Sequence, residues 1–177
     1  MARLTFDDGP DPAFTPLVLD VLAERGVRAT FFCVGDAARA HPDLVRRIAA
    51  EGHTVGHHSM THPHATELGP LALRRNWRDG RQAVAAALGG DPGPFRPPFG
   101  ELGLSGRLAA TLLRLRPVLW DVDAEDWRPE ATAERVAAAI RAAGPNDVVL
   151  LHDGAYNPVE EACRDRSATV QALRLAL

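Results

Sequence analysis

Short apolar runs alternate along the chain with longer stretches in which apolar residues recur every three or four positions. Short runs of this kind are typical of buried strands, and the longer spacing is typical of helices that pack on one face. The expected strands are Arg3–Phe6, Arg28–Val34, Thr54–His57, a short piece near Phe95, Val118–Val122 and Val148–Leu151. Repeated strand-helix alternation predicts an α/β fold around a largely parallel sheet.

Three helical segments have a distinct apolar stripe, and they are centred near Ile48, Ala137 and Leu173. Gly52 is expected to end the first, because glycine readily adopts the left-handed conformation that follows many helices. Residues 89–100 and 155–158 are rich in turn-forming residues and are predicted to be loops. A chain of 177 residues closes one sizeable core, so we expect a single domain over residues 1–177.

The overall charge excludes several classes of partner. A net charge of −3, with 20 basic residues that form no long run, gives no reason to expect nucleic acid and suits a neutral substrate. A monomer is also expected. Two cysteines predict neither a disulfide framework nor a thiolate metal site.

No apolar stretch has the length of a membrane helix, and no signal peptide precedes residue 5. The sequence as it stands therefore predicts a cytoplasmic protein. If an export signal was removed, an extracellular or cell-wall location is expected instead.

Polar residues that are unusual for a core follow the expected strands directly. They are Asp7 and Asp8, His58, Arg96, Asp123 and His152. In a closed or nearly closed parallel barrel all strands end at one rim, so residues far apart in sequence converge there. The chemistry is therefore expected at the carboxyl ends of the strands.

The motif TFDDGP occupies residues 5–10 and places two carboxylates, Asp7 and Asp8, at a strand end. The Gly-Pro turn that follows can swing both toward one cleft. One carboxylate could bind a cation while its neighbour accepts a proton. An acidic turn that caps a helix explains the same residues equally well when they are considered alone.

The motif HSMTH occupies residues 58–62 and provides two histidines four positions apart. On a helical turn His58 and His62 face the same way and can share a metal ion such as zinc. A carboxylate from another strand end would complete a set of two histidines and one aspartate with open coordination positions. A surface loop that is rich in histidine is the simpler alternative.

Three further segments have weaker signals, and each has a structural explanation when considered alone. In RPPFG, residues 96–100, Arg96 could hold a carboxylate and the rigid backbone could aim an amide at an oxyanion. In DAEDW, residues 123–127, acids stand beside an indole that could wall a sugar or methyl pocket. In LLHD, residues 150–153, His152 could donate a proton near neutral pH.

Together these five motifs resemble those of the NodB-homology polysaccharide deacetylases of carbohydrate esterase family 4. The resemblance extends from Thr5 to His152. It implies a distorted (β/α)7-type barrel with the active site at the C-terminal ends of the strands. The implied reaction is metal-dependent removal of N-acetyl groups from a chitin-like or peptidoglycan-like amino-sugar polymer or oligomer, which releases acetate.

The resemblance also implies a role for each motif residue. The general base would be Asp7, and one divalent ion, zinc before cobalt or nickel, would be held by Asp8, His58 and His62. Arg96 would orient the base, the backbone N–H of Phe99 would help to hold the oxyanion, and Asp123 would support the general acid His152. Trp127 and Leu150 would line the pocket for the acetyl methyl group.

The sequence departs from the family pattern at two motif positions. Phe99 stands where tyrosine is frequent, which is harmless if only its backbone acts. His57 stands where asparagine is common, so an additional imidazole is expected beside the metal site. Two rival functions remain open, an O-acetyl esterase that acts on acetylxylan-like substrates and a carbohydrate-binding relative without turnover.

Overall fold

The computed structural model describes residues 2–157 and 161–177, and its centre is a sheet of five parallel strands. The strands lie in the order β3-β2-β1-β5-β4. Their bounds are β1 Arg3–Asp7, β2 Thr30–Cys33, β3 Thr54–His57, β4 Val122–Asp123 and β5 Val148–His152. The expected parallel α/β architecture is confirmed.

One stretch of chain, residues 117–123, contacts both edges of this sheet. Single parallel bridges continue the sheet from β3 to Phe95 and from Phe95 to Pro117. Farther along the same stretch, the Asp121 amide donates to the Val148 carbonyl of β5, and residues 122–123 form β4 at the opposite edge. The sheet is thereby closed into a distorted barrel. The expected strand Val118–Val122 was wrong in its bounds, because the chain leaves one edge and reaches the other within these residues.

The described part of the chain contains seven α-helices. They are α1 Thr15–Arg25, α2 Gly35–Ala40, α3 Pro42–Ala50, α4 Pro70–Leu88, α5 Gly103–Leu113, α6 Ala133–Ala142 and α7 Ser167–Ala176, with short 3₁₀ turns at Pro98–Gly100 and Glu161–Arg164. Helices α3 and α4 begin at a proline, whose fixed φ suits the first helical turn. Gly52 lies two residues after α3 with φ 82°. Among the described residues no helix combines the length and the apolarity needed to cross a bilayer.

The predicted loops are largely present. Residues 89–100 lack regular structure except for the Phe95 bridge and the 3₁₀ turn. Residues 155–157 have no helix or strand, with bends at Tyr156 and Asn157, and Pro158, which ends the second predicted loop, lies outside the described residues.

Successive residues of each strand point to opposite faces, and this alternation separates the core from the site. On β1, Leu4 and Phe6 belong to the main hydrophobic core beneath the helices. Thr5 and Asp7 therefore point into the barrel, in register with Leu150 and His152 of β5. The inner face is thus polar at the carboxyl ends of β1 and β5.

Candidate active site

Asp8, His58 and His62 form a cluster suited to a cation. One ligand atom from each lies within 4.8 Å of the other two. Asp8 Oδ1 is 3.7 Å from His58 Nε2 and 3.2 Å from His62 Nε2. This buried oxygen has no hydrogen-bond partner among the described residues. A buried carboxylate oxygen without a donor costs free energy, which a cation at this point would relieve.

Hydrogen bonding fixes the protonation of His58. Its Nδ1 lies 2.7 Å from the backbone carbonyl oxygen of Arg96. A carbonyl oxygen only accepts, so Nδ1 carries the hydrogen and the Nε2 lone pair faces Asp8. Burial lowers the pKa of His58 well below its usual value and also lowers the pKa of His62. Both imidazoles are therefore neutral, the form that binds metals.

The two histidines converge through an irregular turn, and the expected helical turn was wrong. After β3 the backbone adopts positive φ at Ser59 (67°) and at His62 (52°). The His62 N–H donates to Ser59 Oγ at 3.0 Å. Gly80 of α4 packs directly on the Ser59 backbone, which leaves no space for a side chain at position 80. The convergence depends on this turn and on α4 rather than on the four-residue spacing.

Asp7 and Arg96 form a buried ion pair at the end of β1. Arg96 Nη1 donates to Asp7 Oδ1 at 2.8 Å and to Thr5 Oγ1 at 2.8 Å. The guanidinium lies over the Phe32 ring, 4.2 Å from its centroid. Burial raises the pKa of Asp7 to about 6, although the charge of Arg96 acts in the opposite direction. The expected contact between Arg96 and a motif carboxylate is present.

His152 at the end of β5 is paired with Asp126 rather than with Asp123. Asp126 Oδ1 lies 2.7 Å from His152 Nδ1, and Asp126 Oδ2 accepts the His152 backbone N–H at 2.8 Å. Burial alone lowers the pKa of His152, but the Asp126 carboxylate outweighs it and raises that pKa to about 9.

The prediction that Asp123 supports His152 was therefore wrong. Asp123 ends β4 with an exposed side chain, and its Oδ1 accepts the Glu125 N–H at 2.8 Å. Glu125 has φ 52°, and this reversal brings the next residue, Asp126, beneath the end of β5. The available signal was the second aspartate of DAEDW, which directly precedes Trp127.

Phe99 has a left-handed backbone, with φ 57°, in the 3₁₀ turn. Its ring stacks on His64 with centroids 3.7 Å apart and meets the His62 ring edge-on at 4.5 Å. The oxyanion loop expected from the sequence thus adjoins the metal-binding cluster. Leu150 is buried on the inner face of β5, whereas Trp127 is 39% exposed with the Arg128 guanidinium over its ring.

The structure places His57 away from the metal-binding cluster, contrary to the expectation of an additional imidazole there. His57 lies on the face of β3 opposite His58, and its ring packs against Phe95 at 4.7 Å. Burial lowers the pKa of His57 to about 3, so it is neutral. The reason is strand alternation, which turns the side chains of adjacent residues to opposite faces.

Comparison with known proteins identifies this arrangement. Residues 1–118 match the family model of the polysaccharide deacetylases. The chain belongs to this family. A family 4 carbohydrate esterase from Streptomyces lividans, solved in complex with acetate, superposes with a TM-score of 0.86 at 37% identity, over 99% of this chain and 85% of the other. The expected barrel and the expected family are both confirmed.

The curated relatives of this polysaccharide deacetylase include enzymes named for two substrates. A chitooligosaccharide deacetylase of Rhizobium leguminosarum bv. trifolii is 42% identical over 151 residues, which cover 85% of this chain and 70% of the relative. A peptidoglycan-N-acetylglucosamine deacetylase of Bacillus cereus is 36% identical over 172 residues, which cover 96% and 76%. The prediction of a carbohydrate deacetylase is confirmed at this level.

Sequence reasoning missed two residues that support the site of this deacetylase, Thr5 and Thr169. Thr5 accepts from Arg96, and Thr169 of α7 donates to Asp126 Oδ2 at 2.7 Å. Thr5 opens the motif TFDDGP but received no role there, and Thr169 lies in an ordinary helix pattern with no local signal that separates it from structural residues. Only the fold brings Thr169 next to a motif 43 positions earlier.

Proposed function

We propose that this polysaccharide deacetylase removes N-acetyl groups from a chitin-like or peptidoglycan-like polymer or oligomer of amino sugars. The observation that carries the proposal is the placement of a proton acceptor and a proton donor in register. Asp7 and His152 are partners on adjacent strands, β1 and β5, and Asp7 directly precedes the cation cluster at Asp8. Amide hydrolysis requires this pairing, because water must lose a proton and the leaving nitrogen must gain one.

Asp8, His58 and His62 would hold one divalent ion, and two neutral imidazoles with one carboxylate suit zinc first, with cobalt or nickel as alternatives. Three protein ligands leave positions open for water and substrate. When bound, the ion supplies Lewis-acid polarisation of the acetyl carbonyl.

The chain's own residues would carry the proton transfers. Ionised Asp7, held by Arg96, accepts a proton from water as the water oxygen forms a bond to the acetyl carbon. The Phe99 N–H donates to the oxyanion that develops on the carbonyl oxygen. His152, held by Asp126, then gives its proton to the sugar nitrogen as the carbon-nitrogen bond breaks. Acetate and a free amine result.

The pocket for the acetyl methyl group is assigned to Leu150 and Trp127. Leu150 is buried on the inner face of β5, two residues before His152. Trp127 directly follows Asp126, so it adjoins the loop that holds the proposed acid. An apolar wall near the reacting carbon would favour a short acyl group over a longer one.

Acetate release from three substrates in one assay tests the proposal. We expect release from N-acetylated chitooligosaccharides or peptidoglycan fragments, little from acetylxylan, and loss of activity with a chelator. Faster release from acetylxylan would favour the esterase. No release from any substrate by metal-loaded protein would favour the carbohydrate-binding relative without turnover.

A further inference from the structure

Two buried polar side chains at the start of helix α7 reach the loop of Asp126. Arg166 directly precedes the helix and is 3% exposed, and Thr169 in its first turn is fully buried. Both lie beyond the five motifs and beyond residues 1–118, which match the family model. No role in the reaction follows for them from the motifs.

Thr169 completes the hydrogen bonding of the Asp126 carboxylate. Its hydroxyl donates to Asp126 Oδ2 at 2.7 Å, and the same oxygen accepts the His152 backbone N–H at 2.8 Å. The other oxygen, Oδ1, contacts His152 Nδ1 at 2.7 Å. His152 of β5 thus contacts both oxygens, and the α7 hydroxyl acts on Oδ2. The carboxylate cannot rotate without breaking at least one of these contacts.

Arg166 holds the backbone on either side of the same pair. Its Nε donates to the Gly154 carbonyl at 2.8 Å, and its Nη1 donates to the Asp126 carbonyl at 3.4 Å. Gly154 lies two residues after His152. One guanidinium therefore links the loop that follows the imidazole to the loop that carries its carboxylate.

Packing of α7 against the core does not require the Thr169 hydroxyl. Helix α7 has apolar anchors of its own in the main core, Val170, Ala172 and Leu173. A valine at position 169 would have nearly the same shape, but it would leave Asp126 Oδ2 with one donor fewer. The hydroxyl is suited instead to the neighbouring carboxylate, which it orients.

We propose that Thr169 is a positioning residue for His152, that it acts through Asp126, and that Arg166 assists it by fixing the two loops. This inference rests on the proposed function, in which His152 donates a proton to the leaving nitrogen. Groups that hold a reacting residue through a hydrogen-bonded partner typically affect activity about 10-fold to 100-fold. The effect should appear in kcat, since substrate contacts are unchanged.

Steady-state kinetics on N-acetylated chitooligosaccharide, with metal content and Tm measured in parallel, tests the inference. Thr169→Val should lower kcat about 10-fold, with KM within about twofold and metal content unchanged. Thr169→Ala, which also lacks the hydroxyl, should show the same loss if the valine variant folds poorly. Thr169→Ser keeps the hydroxyl and should restore most of kcat.

Val170→Ala is the matched control, because it removes buried atoms from the same helix without touching Asp126. It should lower Tm and leave kcat unchanged. If the Thr169 variants that lack the hydroxyl keep the wild-type kcat, or if Val170→Ala lowers kcat as much, the inference is wrong.

His152→Ala separates this inference from the proposed function. If His152→Ala keeps the full rate, the proposed general acid is wrong, and the role of Thr169 fails with it. If His152→Ala loses activity while Thr169→Val and Thr169→Ala do not, only the role of Thr169 is overturned.

Discussion

At the scale of single residues, burial decides how the carboxylates of the site behave. Asp7 is enclosed beside Arg96, and burial raises its pKa to about 6. Asp8, one residue later, has positive φ and turns its oxygen toward two imidazoles. Adjacent aspartates therefore differ in environment, which supports a proton acceptor at Asp7 and a metal ligand at Asp8.

Asp7→Asn should separate these two roles. The amide has nearly the same shape but accepts protons poorly, so turnover should fall by roughly 10²-fold to 10⁴-fold. Elemental analysis should still find one metal ion per chain, because Asp8, His58 and His62 are unchanged. Loss of the metal in this variant would mean that Asp7 is itself a ligand.

The dependence of kcat/KM on pH should be bell-shaped. Activity rises as Asp7 ionises, near pH 6, and falls as His152 loses its proton, near pH 9. A bound cation favours proton release from both groups. Each limb should therefore lie at or below the pH that matches the pKa of its residue.

Asp126→Asn should move the falling limb to lower pH. Without the carboxylate, burial dominates and disfavours the imidazolium, so His152 releases its proton more easily, by about 1 to 3 pH units. Asp123→Asn is the matched control and should leave the limb in place, because Asp123 does not contact His152. The assignment of Asp126 fails if the two variants give the same profile.

Some residues of the site could be predicted from the sequence, and others could not. Asp8, His58 and His62 were accessible because strand-end positions converge in any parallel barrel. The partner of His152 was not, since the choice between Asp123 and Asp126 depends on the reversal at Glu125. The position of His57 was accessible, because the expected strand Thr54–His57 matches β3 and alternation along it turns His57 and His58 to opposite faces.

At the scale of elements, the turn after β3 depends on its contact with α4. The backbone of Gly80 touches the Ser59 backbone, and Asn76 of the same helix accepts the Met60 N–H at 3.0 Å. The histidine spacing indicated a helical turn in this place. The sequence does not reveal that α4 contacts this turn through Gly80 and Asn76.

Gly80→Ala should weaken both stability and metal binding. Alanine favours the helix by about 1 kcal/mol, but its methyl group would overlap Ser59. Overpacking of this kind typically costs about 1 to 3 kcal/mol. Thermal unfolding and metal titration measure the two effects.

Gly69→Ala serves as the control for this variant. It lies at the start of the same helix, where an added methyl meets no atom within 4 Å. It should bind metal like the wild type. Equal metal affinity in Gly80→Ala and Gly69→Ala would show that the contact with Ser59 does not shape the site.

At the scale of the whole molecule, the cation site joins two distant parts of the barrel. Asp8 follows β1, and His58 and His62 follow β3, with β2 between these strands in the sheet. A bound ion would therefore link the central strand β1 to the edge strand β3. Unfolding would have to release it.

Metal binding should accordingly raise the thermal stability. At a free concentration 100 times Kd, binding to the folded state adds about 2.7 kcal/mol. For a chain of this size the corresponding rise in Tm is about 5 to 10 °C. The rise should disappear in His58→Ala, and an equal rise in that variant would locate the ion elsewhere.

Reconstitution of metal-free protein tests the central claim most directly. Acetate release from N-acetylated chitooligosaccharide should increase in proportion to added zinc and reach its maximum at one ion per chain. In His58→Ala the same additions should restore no comparable rate. Full activity of protein shown by elemental analysis to be free of metal, or full recovery in His58→Ala, would contradict the account.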